Sequence, residues 1–370
     1  MSKKVLHIIT STNVGGAESM LYKYLANSDR SLLNHHVISL SGLGNIGLKI
    51  RSVGVPVYAL SSSIYSIRGL KELHSVFKSI DPNIIQSWLY HSDFISLLLK
   101  VFNPNVILCW NIRSYKVCRY KVLTCFLVRL LALFSRIPNV VIINSIASQE
   151  HHKKIGYKPK RWEYIPNGFD TNLFKQKQDL SCKLKRELGI HPDALLIGMV
   201  ARFSSEKDHK TFLHACFLIN NIFPDVHYIL IGINVDSSNT DLSNIISELH
   251  LNSRVHLLGE RDDVQSIMSC FDIACSSSID EAFPNVVGEA MSSAVPCVVT
   301  NVGDSALLVG DTGMVVESKS PKKIADACIE LLKKPEYIRR QIGLNARQRI
   351  IDNFSIDQIS SRYDQIYTEL

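Results

Sequence analysis

Nowhere in the 370 residues does an apolar run reach the roughly 18 residues that a membrane-spanning helix requires. The longest candidate, Val122 to Ser135, is broken by Arg129. The start, Met1-Ser2-Lys3-Lys4-Val5-Leu6-His7-Ile8-Ile9-Thr10, has too short an apolar part for a secretory signal and no small-residue cleavage pattern after it. It reads as a first buried strand. The nine cysteines are odd in number and scattered, with no C-x-x-C pair. That argues against a disulfide framework or structural zinc, fits small buried hydrophobes, and points to a reducing cytosol. A G-x-G-x-x-G fingerprint with its ribose-binding acid is missing, which argues against nicotinamide chemistry. An Asp-x-Asp pair at a strand end in the second half is missing too; Asp262 and Asp263 stand side by side. There is no internal repeat, low-complexity tract or nucleic-acid-binding motif.

What is present is the composition of a folded protein, 46% hydrophobic and 20% charged, in a chain long enough for two cores. Residues 1–168 hold 21 Lys and Arg against 7 Asp and Glu, a net +14, whereas residues 169–370 hold 20 against 27, a net −7. A basic half suits an anionic partner, here a membrane surface or a phosphorylated acceptor. Arg113, Lys116, Arg119, Lys121, Arg129 and Arg136 alternate with Tyr115, Tyr120, Phe126, Leu130 and Phe134. This stretch reads equally as an edge resting on an anionic bilayer and as a buried helix with basic ends.

Short β-branched runs alternate with helical patterns along the whole chain. Val5–Thr10, Val37–Leu40, Val55–Leu60, Ile84–Trp88, Val106–Trp110 and Val140–Ile143 read as strands, and the pattern restarts after Pro166-Asn167-Gly168. Leu195–Val200, Val226–Ile231, Val255–Leu258, Ile273–Ser276 and Val298–Thr300 are the second set. Continuous apolar strands separated by helices imply parallel sheets covered on both faces. The expectation is an α/β protein with two Rossmann-like doubly wound domains, 1–168 and 169–354, a linker near 166–185, and a closing amphipathic helix over 355–370. Ligands in such sheets bind beyond the carboxyl ends of strands.

Each chemistry-bearing motif falls at such an end. Gly15 and Gly16 precede a helix, where paired glycines and a helix start can face an anion, although a plain tight turn gives the same residues. Arg202 and Lys207 flank the loop after the first strand of the second half, a fork and a point charge suited to a diphosphate. Glu281 precedes a helix entered at Pro284, and Glu289 lies on it, so two carboxylates can meet sugar or ribose hydroxyls. His91 follows a first-half strand and offers a ring nitrogen to a hydroxyl.

In ordered series, the chain resembles the GT-B glycosyltransferases of family 4. The resemblance rests on Gly15-Gly16-Ala17-Glu18, Ile165-Pro166-Asn167-Gly168-Phe169-Asp170, Arg202 with Lys207, Leu258-Gly259, Glu281-x7-Glu289 with Ala290-Met291, and Val302-Gly303-Asp304. It implies retaining transfer of a sugar from a nucleotide donor in a cleft between two domains, with no metal or other cofactor. It further implies a donor on the second domain, an acceptor on the first, and a last helix that crosses back. By position, Arg202 and Lys207 would neutralise the diphosphate, Glu281 contact the sugar, Glu289 the ribose, Gly16 a phosphate oxygen, and the backbone around Arg261 the base. Phe283, Asn285 and Val286 would complete the donor loop, and His91 matches the family's first-domain histidine. Ala282 and Ala294 stand where members usually carry glycine. A UDP donor, a lipid-linked or saccharide acceptor, surface-polysaccharide synthesis and an anionic inner membrane face complete the expectation. A nucleotide-sugar 2-epimerase and a non-catalytic membrane scaffold are the alternatives.

Overall fold

Two parallel sheets carry the chain. The computed structural model describes residues 2–115, 122–175 and 180–370. It divides into one unit of residues 1–168 with 356–370 and another of 169–355. In the first unit the strands are β1 (Lys3–Ile9), β2 (Leu33–Ser39), β3 (Val57–Ala59), β4 (Ile84–Trp88), β5 (Ile107–Ile112), β6 (Val140–Ile143) and β7 (Trp162–Tyr164). Their order is β3-β2-β1-β4-β5-β6-β7, all parallel. The second unit has β8 (Leu196–Val200), β9 (His227–Ile231), β10 (Val255–Leu257), β11 (Ile273–Ser276), β12 (Cys297–Thr300) and β13 (Met314–Val316), ordered β10-β9-β8-β11-β12-β13. Helices cover the faces of each sheet, as two Rossmann-like domains require.

β2 begins four residues earlier than its apolar run suggests, because His35 and Leu33 point inward on a face that is not wholly apolar. β7 and β13 are three-residue edge strands with half-exposed side chains, so no continuous apolar run marks them. The Glu336–Phe354 helix buries Arg339, Gly343, Ala346, Ile350 and Phe354. Those positions have helical spacing, yet three of them are small or charged, and the hydrophobic signal is correspondingly faint.

The Val122–Phe134 helix departs from the buried-helix reading. Only Val128, Leu131 and Ala132 are buried, whereas Val122, Leu123, Phe126 and Leu133 are 87%, 77%, 65% and 78% exposed. The basic cluster is also thinner than the sequence suggests. Arg113 is turned inward onto Asn111 and Asn167 and the Tyr363 hydroxyl, with its guanidinium 5.4 Å from the Trp88 ring centre. Lys116, Arg119, Tyr120 and Lys121 lie outside the described residues, as do 176–179 of the linker.

The Ile356–Glu369 helix docks on the first unit through a buried polar chain. Trp88 Nε1 can only donate, and it donates to His7 Nδ1 at 3.2 Å. His7 Nε2 therefore carries its proton toward His35 Nδ1 at 3.1 Å, and His35 Nε2 donates to Ser28 Oγ at 2.8 Å. Ser28 in turn donates to Asp364 Oδ1 at 2.7 Å, as does the Tyr24 hydroxyl, and the Asp29 N–H donates to Oδ2 at 2.9 Å. Each imidazole is thereby fixed as one neutral tautomer. Burial, with its neighbouring imidazoles, holds the His7 pKa well below 6.5, and burial, with Arg30 and His36 nearby, lowers that of His35 to about 3.

Unfolded, both histidines take up protons near pH 6.5; folded, His35 does not until about pH 3. Stability is therefore lost as pH falls through that window, by up to about 1.4 kcal/mol per pH unit for each histidine. Thermal unfolding between about pH 7 and 4.5 is expected to show a falling midpoint, less steep in His35→Gln. A midpoint independent of pH there rejects the neutral pairing.

Candidate active site

In the second unit the strand order runs outward in both directions from β8 and β11. Right-handed crossovers then send the helices after these two strands to opposite faces, and the loops between them part to leave a crevice. The loop after β8 holds Arg202 and Lys207. Its Ala201 and Phe203 N–H groups donate to Ile231 and Ile233 carbonyls, both at 2.9 Å. From the β11 side, Ser277 Oγ donates to the Lys207 and Asp208 carbonyls at 2.8 and 3.0 Å, and the Ile279 N–H to Glu206 O at 2.8 Å. Asp208, in the left-handed region at φ 49°, caps the His209–Asn220 helix by accepting from Thr211. His209 is buried against Phe203, and burial lowers its pKa to about 4.

Lys207 Nζ forms an ion pair with Glu281 Oε1, and Ser278 Oγ donates to the same oxygen at 2.9 Å. The two side chains are 19% and 13% exposed, so the pair is far less screened than a surface one. An ammonium has three donors, and this contact engages one of them. Arg202 is exposed and forms no ion pair with a described residue. Behind Glu281 stands Gly303, at φ 53°, where a Cβ would collide with the Glu281 carbonyl. The next residue, Asp304, donates its N–H to Ala282 O at 3.0 Å.

The Asn285–Ser292 helix starts at the expected Pro284 boundary. Asn285, Val286 and Glu289 are half-buried on it, and Asn285 and Glu289, four apart, share a face. The Phe283 side chain is 4% exposed, its ring 6.3 Å from Phe169 and 5.6 Å from Phe354, so it seats the loop in the core and leaves the backbone as what Phe283 can offer a ligand. The Arg261 guanidinium is engaged by Asp263 at 2.8 and 2.9 Å and by Glu187 at 3.4 Å, which raises its pKa and leaves its backbone as the available surface. Ser277, Ser278 and Thr300, whose hydroxyl donates to the Ser278 carbonyl, were not singled out from the sequence. Their signal is the serine run Ser276-Ser277-Ser278 directly after an apolar strand. Among the described residues no three His, Cys, Asp or Glu side chains are grouped to hold a metal ion.

The first unit repeats the reversal at β1 and β4. Gly15, in extended backbone, precedes the Gly16–Asn27 helix. The Glu18 carboxylate folds back against Gly15, and burial raises its pKa, so the chain's own acid faces this helix start. His91 is half-buried, the second residue of the Tyr90–Phe102 helix. The turn into that helix passes through Leu89 at φ 71°, ψ 159°, a conformation a leucine adopts only under constraint. It lets the helix begin two residues after β4 ends and sets His91 at the mouth of the sheet.

Two family models match this chain in succession. "Glycosyltransferase Family 4" covers residues 14–173, and "Glycosyl transferases group 1" covers residues 182–349. The chain belongs to glycosyltransferase family 4. Its similar proteins include the N-acetyl-alpha-D-glucosaminyl L-malate synthase of Bacillus anthracis, 29% identical over 62% of this chain and 59% of that protein. Another is the UDP-Gal:alpha-D-GlcNAc-diphosphoundecaprenol alpha-1,3-galactosyltransferase of Escherichia coli, 26% identical over 59% and 57%. The matched region thus spans under two thirds of both relatives. The putative glycosyltransferase EpsF of Bacillus subtilis is 23% identical over 98% of each chain. In fold, the chain is similar to Anabaena HepE in complex with UDP and glucose, with a TM-score of 0.86, 22% identity and full coverage of both chains.

The two departures from the family 4 glycines behave differently. Ala282 is not among the residues with positive φ, so alanine there carries no left-handed strain. Ala294 lies at φ 58°, where a Cβ costs about 1 kcal/mol that glycine avoids. Ala294→Gly is expected to stabilise the chain by roughly that amount. A lowered midpoint in urea unfolding would refute the assignment of strain to this residue.

Proposed function

We propose that this family 4 glycosyltransferase moves a hexosyl group, with retention and without a metal, from a UDP-sugar to a lipid-linked or saccharide acceptor in surface-polysaccharide synthesis. The observation that carries the reading is the Lys207–Glu281 pair beside the exposed Arg202, at the strand-order reversal of the second unit. Arg202 and Lys207 bind the diphosphate and stabilise the charge that develops as it leaves. Glu281 accepts from a sugar hydroxyl, Glu289 from the ribose, and the start of the Asn285–Ser292 helix, with Val286, borders the donor. The backbone at Arg261 meets the base. Gly15 and Gly16 bring N–H groups to an oxygen of the donor, and His91 hydrogen-bonds a sugar hydroxyl.

In the reaction, the bond from sugar C1 to the phosphate oxygen breaks while the acceptor oxygen bonds to C1 on the same face. The acceptor proton passes to the departing phosphate, so no protein nucleophile is needed. UDP is favoured as donor because the E. coli relative is named for UDP-Gal and the HepE structure holds UDP. Action at the cytoplasmic face of a membrane is part of the proposal; among the described residues no helix is long and apolar enough to cross one.

The test is donor binding and turnover. Arg202→Ala removes one charge-assisted contact, about 1.5–3 kcal/mol, and is expected to weaken UDP binding roughly 10- to 100-fold. Lys207→Ala is expected to cost at least as much, since it also strips Glu281 of its partner. Nucleotide release that depends on acceptor distinguishes transfer from epimerisation, and it should survive EDTA. Parental UDP affinity in both variants would sink the phosphate assignment, and chelator-sensitive activity restored by magnesium the metal-free one.

Attraction to anionic membrane is a separate part of the proposal, resting on the exposed Arg129 and Arg136 and the +14 of residues 1–168. Vesicle flotation should fall steeply with salt. Equal recovery on neutral and anionic vesicles rejects it.

A further inference from the structure

A groove of about 830 Å³ opens in the first unit beside His91. This lies within the range of small-molecule sites. Its two ends differ in chemistry. At the carboxyl edge of the sheet it is rimmed by hydroxyls, Thr10, Ser41 and the run Ser61-Ser62-Ser63, together with His91. The serine loop is fixed: Glu72 accepts from the Ser61 N–H at 3.0 Å and from its hydroxyl at 3.0 Å, and Ser63 O accepts from Ser66 N–H at 2.9 Å. Away from the rim the walls are hydrocarbon. Phe94 and Leu98 come from one turn of the Tyr90–Phe102 helix, and Leu123, Phe126, Leu127 and Leu130 from one face of the Val122–Phe134 helix. No Asp, Glu, Lys or Arg is among the described lining residues.

We propose that this groove holds the hydrocarbon chain of a single amphiphilic acceptor, whose uncharged sugar end meets the hydroxyl rim and His91. The inference rests on the proposed transferase reading and chooses a lipid-linked acceptor over a free saccharide. Three observations select this occupant. The described wall offers an anion no charged partner, which favours a neutral part of the ligand there. A hydroxyl rim running into an apolar trough matches a sugar joined to a hydrocarbon better than either alone. The helix face that lines the groove stays open at Leu123 and Phe126, 77% and 65% exposed, so a chain longer than the groove has an apolar path outward. Buried aliphatic surface supplies affinity in proportion to its area, so chain length becomes a measurable determinant of binding.

The test uses the full chain and n-octyl N-acetylglucosaminide below its micelle concentration, with the methyl glycoside as the chain-free control. The octyl glycoside is expected to bind at least about tenfold more tightly than the methyl one in calorimetry. Phe126→Ser, at an exposed position that folding tolerates, and Leu98→Ser should each remove most of that advantage. Leu133→Ser, exposed on the same helix but outside the groove, should retain it. UDP affinity, measured on the same samples, reports the second unit: its absence sinks the donor reading, whereas normal UDP binding with equal octyl and methyl affinities sinks this one. An octyl advantage that Leu133→Ser lowers as much as Phe126→Ser does overturns the groove in favour of the helix surface. A monomer–dimer equilibrium in sedimentation that Phe126→Ser abolishes overturns it in favour of a second copy.

Discussion

The reversal of strand order is the constraint on which the rest depends. β8 and β11 are hydrogen-bonded neighbours, yet the strands that follow them lie on opposite sides. Two right-handed connections leaving in opposite directions cannot both cover the ground between them, so a crevice follows from topology before any side chain is chosen. The same holds at β1 and β4. The loops at such a place have few secondary-structure partners for their backbone groups, and those groups must be satisfied otherwise. Here the Ser277 hydroxyl takes two carbonyl groups of the β8 loop, and Ile279 and Asp304 close two more. The functional side chains are thus held by hydrogen bonds that cross from strand to strand.

That scaffold explains why opposite charges can sit together at low exposure. Pairing Lys207 with Glu281 offsets part of the desolvation that each would bear alone, and Ser278 supplies a further donor to the carboxylate. A substrate with both a diphosphate and hydroxyls competes for neither group outright, because the ammonium keeps two donors and the carboxylate several lone pairs. Arg202, by contrast, forms no ion pair with a described carboxylate. The site therefore combines one cation fixed by its partner with one that is free to follow an anion.

Strands that are buried on both faces were legible from sequence, and β4, β6 and β11 begin and end where their apolar runs do. The losses have physical causes. β7 and β13 are edges, three residues long and half-exposed, where packing writes no continuous pattern. The Glu336–Phe354 helix buries a glycine, an alanine and an arginine, and a hydropathy pattern does not register such a face. At the site, residue types that bear charge were readable one by one, whereas the partnership of Lys207 with Glu281 spans 74 positions and depends on the loops meeting. Motif position says nothing of which way the Phe283 ring turns; two other phenylalanines hold it in the core. Ser277 and Ser278 were overlooked since serines after a strand are commonplace, and only their carbonyl and carboxylate partners give them a role.

The Val122–Phe134 helix shows how one sequence property supports two opposite structures. Apolar residues all round suit a helix enclosed by protein, and equally one whose outer face is covered by something that is not this protein. Sequence periodicity cannot separate the two, because both lack a polar face. What separates them is the number of elements available to cover the helix. It follows β5 and precedes β6, toward one end of a seven-stranded sheet, and the Tyr90–Phe102 helix packs along one flank only. The inner stripe of Val128, Leu131 and Ala132 is therefore buried, and Leu123, Phe126 and Leu133 are left outward. A soluble chain under no other demand would carry polar residues there, at no cost to the core beneath. The packing beneath therefore does not demand their apolar character, and the proposed hydrocarbon occupant of the groove supplies a reason for it at Leu123 and Phe126.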